Sequence, residues 1–163
     1  MKRTLTALVL GVTLLLASGG VGYAQDFQKG WEAYNKGDYA TALREWSALA
    51  EQGFANAQYN LGVMYGTGEG VTEDDKEAVK WYHKSAEQGE AKAQYNLGVM
   101  YGKGKGVLQD NIYAHMWANI AASNGVADAA KNRDIIAKRM TAADISKAQE
   151  LARVCVRKKY KGC

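Results

Sequence analysis

The residues with the chemistry to act are few: two histidines, two cysteines, one run of carboxylates and two glycine-rich turns. His83 and His115 are 32 residues apart, and no His-Glu-x-x-His or Cys-x-x-Cys spacing occurs, so the zinc patterns that hold or activate water are missing. Ser85 and Ser123 have no evident base partner. Glu73, Asp74 and Asp75 fall together where a helix is predicted to start, and capping accounts for them without a general acid–base pair. Gly66-x-Gly68-x-Gly70 superficially resembles a dinucleotide loop, but no strand precedes it, it ends in Val71, and it recurs at Gly102-x-Gly104-x-Gly106. The expectation is no catalytic residue, no cofactor and no metal.

Recognition chemistry is better represented. Asn60 and Met64 recur as Asn96 and Met100. An amide donates and accepts at once and so suits an extended peptide backbone, and a thioether offers an adaptable apolar surface. Lys92, Lys103 and Lys105 stand where the earlier copy has Asn56, Thr67 and Glu69. Asn60, Met64, Asn96, Met100 and Lys92 are therefore the candidate partner-binding residues, with an acidic segment or chain terminus as the favoured partner. The competing reading is that the two asparagines brace neighbouring loops. The cysteines, Cys155 and Cys163, either close a small loop, with Gly162 giving the needed freedom, or pair between chains.

These residues sit in a repeat. The segments 55–71 and 91–107 are identical at 14 of 17 positions, at an offset of 36. Ala78, Trp81, Ala86 and Gly89 map onto Ala114, Trp117, Ala122 and Gly125 at the same offset, and Ala42, Trp46, Ala50 and Gly53 map forward onto Ala78, Tyr82, Ala86 and Gly89. Each unit reads as two helices. Ala57, Leu61 and Tyr65 form a stripe at i, i+4, i+8 in the first, which leaves Asn60, Val63 and Met64 turned away from the stack. Gly62 and Gly98 inside these helices imply close approach of a partner helix, and the three glycines that follow suit a loop needing positive φ. The second helices start at Asp74 or Asp75 and at Asp110, carry Ala78, Trp81, Tyr82, Ser85 and Ala86 inward, and stop at Gly89 and Gly125. An earlier pair, 27–35 and 39–52, has Asp38 as its cap and lacks the glycine loop. The fourth unit departs: Arg133 and Asp134 replace Leu97 and Gly98, and Thr141-Ala-Ala-Asp144 is a capping box opening a last helix, as expected of a terminal cap.

The run Ala-x-Ala-Gln-x-Asn-Leu-Gly-x-Met-Tyr-x-x-Gly-x-Gly-Val, followed by Asp and Ala-x-x-Trp, resembles the Sel1-like repeat, a TPR-type family. The resemblance is clearest over residues 55–125. It implies an all-α, right-handed α/α solenoid of helix pairs with a C-terminal capping helix. It also implies a protein or peptide adaptor that lines its concave face with first helices. A β-lactamase-like group within the family makes a hydrolase an alternative function; its members are similar to cysteine-rich arrays, and residues 25–154 here contain no cysteine.

The N-terminus has the order of a secretory signal: Met1-Lys2-Arg3, an apolar run from Leu5 to Ala17, then Gly22-Tyr23-Ala24, which predicts cleavage between Ala24 and Gln25. An uncleaved anchor is the alternative. The expected organisation is signal peptide 1–24, N-terminal helix pair 25–54, repeats 55–90 and 91–126, and a cap with a basic tail over 127–163. The expected location is periplasmic or secreted. Residues 25–130 carry 9 basic and 14 acidic side chains, and residues 131–163 carry 10 and 3. A basic tail on an acidic body suggests a regulator docking on a membrane surface or acidic domain as an alternative; nucleic acid is not expected.

Overall fold

The computed structural model describes residues 14–163, with side chains from residue 22. Of the expected signal segment, residues 1–13 lie outside the described residues. The remainder forms the start of α1, which runs through the Ala24–Gln25 point. Among the described residues there are eight helices and no strand: α1 (Leu14–Asn35), α2 (Tyr39–Glu51), α3 (Ala55–Thr67), α4 (Asp75–Ala86), α5 (Ala91–Lys103), α6 (Asn111–Ser123), α7 (Ala127–Ala137) and α8 (Ala142–Arg157). No helix among them is long and apolar enough to cross a membrane.

Local chemistry sets the boundaries. Asp38, Asp74 and Asp110 each accept hydrogen bonds from free amides of the following first turn, and Thr141 and Asp144 form a reciprocal capping box. Gly53, Gly89 and Gly125 end the second helices with φ near +90°. In the glycine-rich loops only the second and third glycines have positive φ; Gly66 and Gly102, expected in the loop, are still helical. The last glycine of each loop is held by contact. A Cβ on Gly70 would lie 2.5 Å from the Tyr39 Cβ, and one on Gly106 would lie 2.2 Å from the Asp75 carbonyl oxygen. Each loop thus presses on the start of the preceding unit's second helix.

Helices pack in succession, α1 on α2, α3 on α4, α5 on α6, with each second helix also against the next first helix. Gly62 lets α4 approach: a Cβ there would lie 2.5 Å from the Tyr82 ring. Gly98 does the same for α6, where the obstacles are the Ala114 oxygen and Ala118 nitrogen at 3.2 Å. Two buried amides tie the units. Gln58 Nε2 donates to the Ala50 carbonyl and its Oε1 accepts from Gln88; Gln94 repeats this with Ala86 and Asn124. The core falls into two clusters. Ala42, Trp46, Leu49, Leu61 and Met64 form the first; Tyr82, Leu97, Met100, Trp117, Ile120 and Cys155 belong to the second. At the C-terminal end α8 packs on α6, and its inward residues Ala148, Ala152 and Cys155 are buried there.

Candidate partner-binding face

The five candidate residues do not form one surface. Met64 is fully buried and Met100 is 7% exposed; both are core residues, not the exposed thioethers expected. The cause is that a first helix touches its own partner and the previous second helix together, so its buried arc is wider than the Ala57–Leu61–Tyr65 stripe. Asn60 is also buried at 7% exposure, with no partner for its Nδ2 among the described residues. Asn96 lies beside the Tyr82 phenol, whose pKa is pushed up by burial. The residue matching Tyr82 one unit earlier is Trp46, whose indole donates to the Phe27 carbonyl and offers no acceptor, which explains the orphaned amide. Lys92 alone of the five is exposed.

The open face of the first helices carries other residues. Tyr59 and Val63 on α3, and Tyr95 and Val99 on α5, are half-buried at matching positions. The register extends both ways. Gly30 meets Trp46 as Gly62 meets Tyr82, so α1 aligns with α3 at an offset of 32. That places Trp31 level with Val63, Val99 and Ile135. Trp31 is 45% exposed and Ile135 41%. Four first helices therefore present one apolar line, with Phe27, Tyr59, Tyr95 and Lys131 beside it. Sequence spacing named Val63 and Val99 as outward but missed Trp31, because the shorter first unit breaks the offset of 36.

Between α5 and α7 this line opens into a notch of about 130 Å³, floored by Gly98, Val99, Ala118 and Ile136, with Lys103 and Arg139 at its rim. Asn132 Nδ2 donates to the Tyr95 hydroxyl at 2.9 Å across one end. A shallower groove of about 440 Å³ runs between α6 and α8, lined by Ile120, Val156, Arg153 and Arg157 among others; both arginines pair with Glu150.

His83 Nε2 lies 3.3 Å from the Tyr101 hydroxyl and edge-on to Trp117, and burial holds its pKa below the usual histidine value. His115 is 3% exposed with no partner for Nδ1 among the described residues; burial, then Arg133, lowers its pKa. Asp74 caps α4, and Lys105 bridges to Glu73 and Asp75 at 3.9 and 3.6 Å. Glu69, at the position of Lys105, accepts instead from Tyr34 and Tyr39; burial and this carboxylate push the Tyr34 phenol up to about 12. No group of three or more His, Cys, Asp or Glu among the described residues is placed to hold a metal ion. Cys155 and Cys163 are joined by a disulfide, with Cα atoms 5.6 Å apart. The basic tail is folded back: Tyr160 rests on Gly89 and exchanges hydrogen bonds with Asn124, and the Gly162 amide donates to Glu87.

Residues 55–90 and 91–126 each match the family model described as Sel1 repeat. Among solved structures, a Sel1 repeat protein from Oxalobacter formigenes superposes with a TM-score of 0.64 at 31% identity, covering 77% of this chain and 98% of that one. A protective antigen present in uropathogenic Escherichia coli strains, displaying an SLR fold, superposes with a TM-score of 0.80 at 30% identity, over 85% of this chain and 30% of that one. Two curated relatives are named exopolysaccharide production negative regulator. The one from Rhizobium leguminosarum bv. viciae is 39% identical over 56 residues, and the match spans 34% of this chain and 21% of that protein. The one from Rhizobium meliloti (strain 1021) is 30% identical over 96 residues, spanning 49% and 36%. The chain thus matches well under half the length of either regulator.

Proposed function

Because the chain belongs to the Sel1 repeat family, we propose that it is a non-catalytic protein- or peptide-binding adaptor whose partner lies along the exposed line of α1, α3, α5 and α7. The observation that carries this is the alignment of Trp31, Val63, Val99 and Ile135 at one register position, two of them over two-fifths exposed. Apolar side chains at one register position on successive helices, half-buried on α3 and α5 and exposed on α1 and α7, suit an elongated partner. The adaptor acts in an exported compartment, reached through the basic–apolar–small order of residues 1–24. The relatives named as regulators of exopolysaccharide production support a regulatory setting for such an adaptor.

The test is photo-crosslinking in the producing cell, with a photoreactive residue at position 63 or 99 and, as control, at the exposed Ala48 of α2. A discrete adduct from 63 and 99 but not from 48 is the expected result. Adducts only from 48, or none, would move the site off this face. Edman sequencing of the purified chain tests export: it should begin at Gln25.

A further inference from the structure

We infer that the notch between α5 and α7 takes an aliphatic side chain of a partner segment that carries an Asp or Glu next to it. The inference rests on the adaptor reading and names the chemistry of its partner. A cavity of about 150 Å³ is known to hold a benzene-sized apolar group, so a notch of about 130 Å³ has room for one branched aliphatic side chain. Gly98, Val99, Ala118, Ile135 and Ile136 line it with hydrocarbon and glycine, and the one polar pair of its wall, Asn132 and Tyr95, is bonded to itself at one end. Among the described residues none fills it, and Ile135 is left 41% exposed at its edge.

The rim supplies the second half of the recognition. Lys103 at the end of α5 and Arg139 beyond α7 stand on opposite walls. Among the described residues neither is in an ion pair, whereas Lys105, two residues away, is bridged to Glu73 and Asp75. The same register position holds Asn35 and Thr67 in the earlier units, so the cations are confined to this end of the line. Lys131 adds a third positive charge where Tyr59 and Tyr95 stand before it. The carboxylates of α7 do not offset these cations at the rim: Asp134 is taken by Arg133 at 2.8 Å, and Asp128 lies in the first turn, at the far end of the helix from Arg139. An aliphatic group in the notch would hold a neighbouring carboxylate between an ammonium and a guanidinium, where a charge-assisted, forked contact is available. A basic segment would meet only repulsion.

The probe is a phage-displayed random heptapeptide library panned on the full chain, with selected peptides measured by fluorescence polarisation. The wild type should enrich Leu, Ile or Val adjacent to Asp or Glu. The charge-reversed Lys103→Glu/Arg139→Glu chain should bind those peptides at least about tenfold more weakly and should enrich Lys or Arg instead. Lys80→Glu/Lys84→Glu on α4 should leave binding unchanged. The milder Lys103→Gln/Arg139→Gln pair, checked by circular dichroism, separates a binding loss from a folding loss. Peptides without acidic bias, a bias that survives reversal, or no enrichment at all would each overturn the inference. A crosslink from position 63 alongside any of these results would leave the adaptor standing with a different partner chemistry, whereas adducts only from position 48, or none, would take the partner off this face and the inference with it.

Discussion

His115 stands where the preceding unit has Val79, at the α6 surface that α7 covers. Its Nδ1 has no partner among the described residues, and burial and Arg133 hold its folded pKa below the value in an unfolded chain. His83 is lowered by burial too. Between the lowered folded pKa and the unfolded value near 6.5, the unfolded chain binds more protons, so stability rises with pH across that window and falls as the solution is acidified through it. His115→Val, which installs the residue of the earlier unit, should shrink the drop in melting temperature between pH 7.5 and pH 5. Differential scanning calorimetry at the two pH values checks this; an unchanged drop would mean that His115 takes up its proton as readily folded as unfolded. The same scale shows what the sequence hid. Gly62 and Gly98 announced close helix approach, because a glycine inside a helix has to be offset by something. Met64 and Met100 gave the opposite impression, since spacing within one helix does not reveal how many neighbours surround it.

Helix ends were the most legible elements. Asp38, Asp74, Asp110 and Thr141 are short polar acceptors directly before apolar periodic runs, and each caps the helix that follows. The glycine that closes each second helix was equally plain. What no local pattern signalled was the path after α8. Lys159 and Tyr160 both adopt left-handed backbone, with φ of 52° and 67°, which is costly for non-glycine residues. The Cys155–Cys163 bond closes this turn, and Tyr160 and Gly162 then touch the ends of α4 and α6. Reduction should therefore loosen more than the tail. A loop of this size contributes about 2–3 kcal/mol, or roughly 5–10 °C in melting temperature for a chain of this length. Hydrogen exchange with and without reductant should show faster exchange at Glu87–Gly89 as well as at 158–163. Loss confined to 158–163 would show that the folded-back turn braces nothing.

The whole molecule is a row, and its core is divided accordingly. The first cluster draws on α1, α2 and α3; the second spans α4, α5, α6 and α8. In such arrays each unit is stabilised by its own contacts and its nearest neighbours, so damage stays local. Trp46→Ala should cost about 3–5 kcal/mol, and the loss should fall on α1 and α2 while α5, α6 and α8 keep their protection. Hydrogen exchange resolved by peptide distinguishes this from uniform loosening, which would signal a single cooperative core. At this scale the offset of 36 laid out the row before any coordinates existed. It fails only at the first unit, which lacks four loop residues and aligns at 32; at the last unit the register still carries Val99 to Ile135, although Arg133 and Asp134 replace Leu and Gly.

At the joint between units, glycine meets the neighbouring helix. Gly70 abuts the Cβ and backbone of Tyr39, and Gly106 abuts the backbone of Asp75 and Lys76. Those are atoms that nearly every amino acid possesses. The backbone contact of each seam therefore does not depend on side-chain identity, whereas the charged residue between the last two glycines is matched to its neighbour: Glu69 meets Tyr34 and Tyr39, and Lys105 meets Glu73 and Asp75. Side chains on the exposed line are then free to diverge, copy by copy, without renegotiating the spacing that holds them in line.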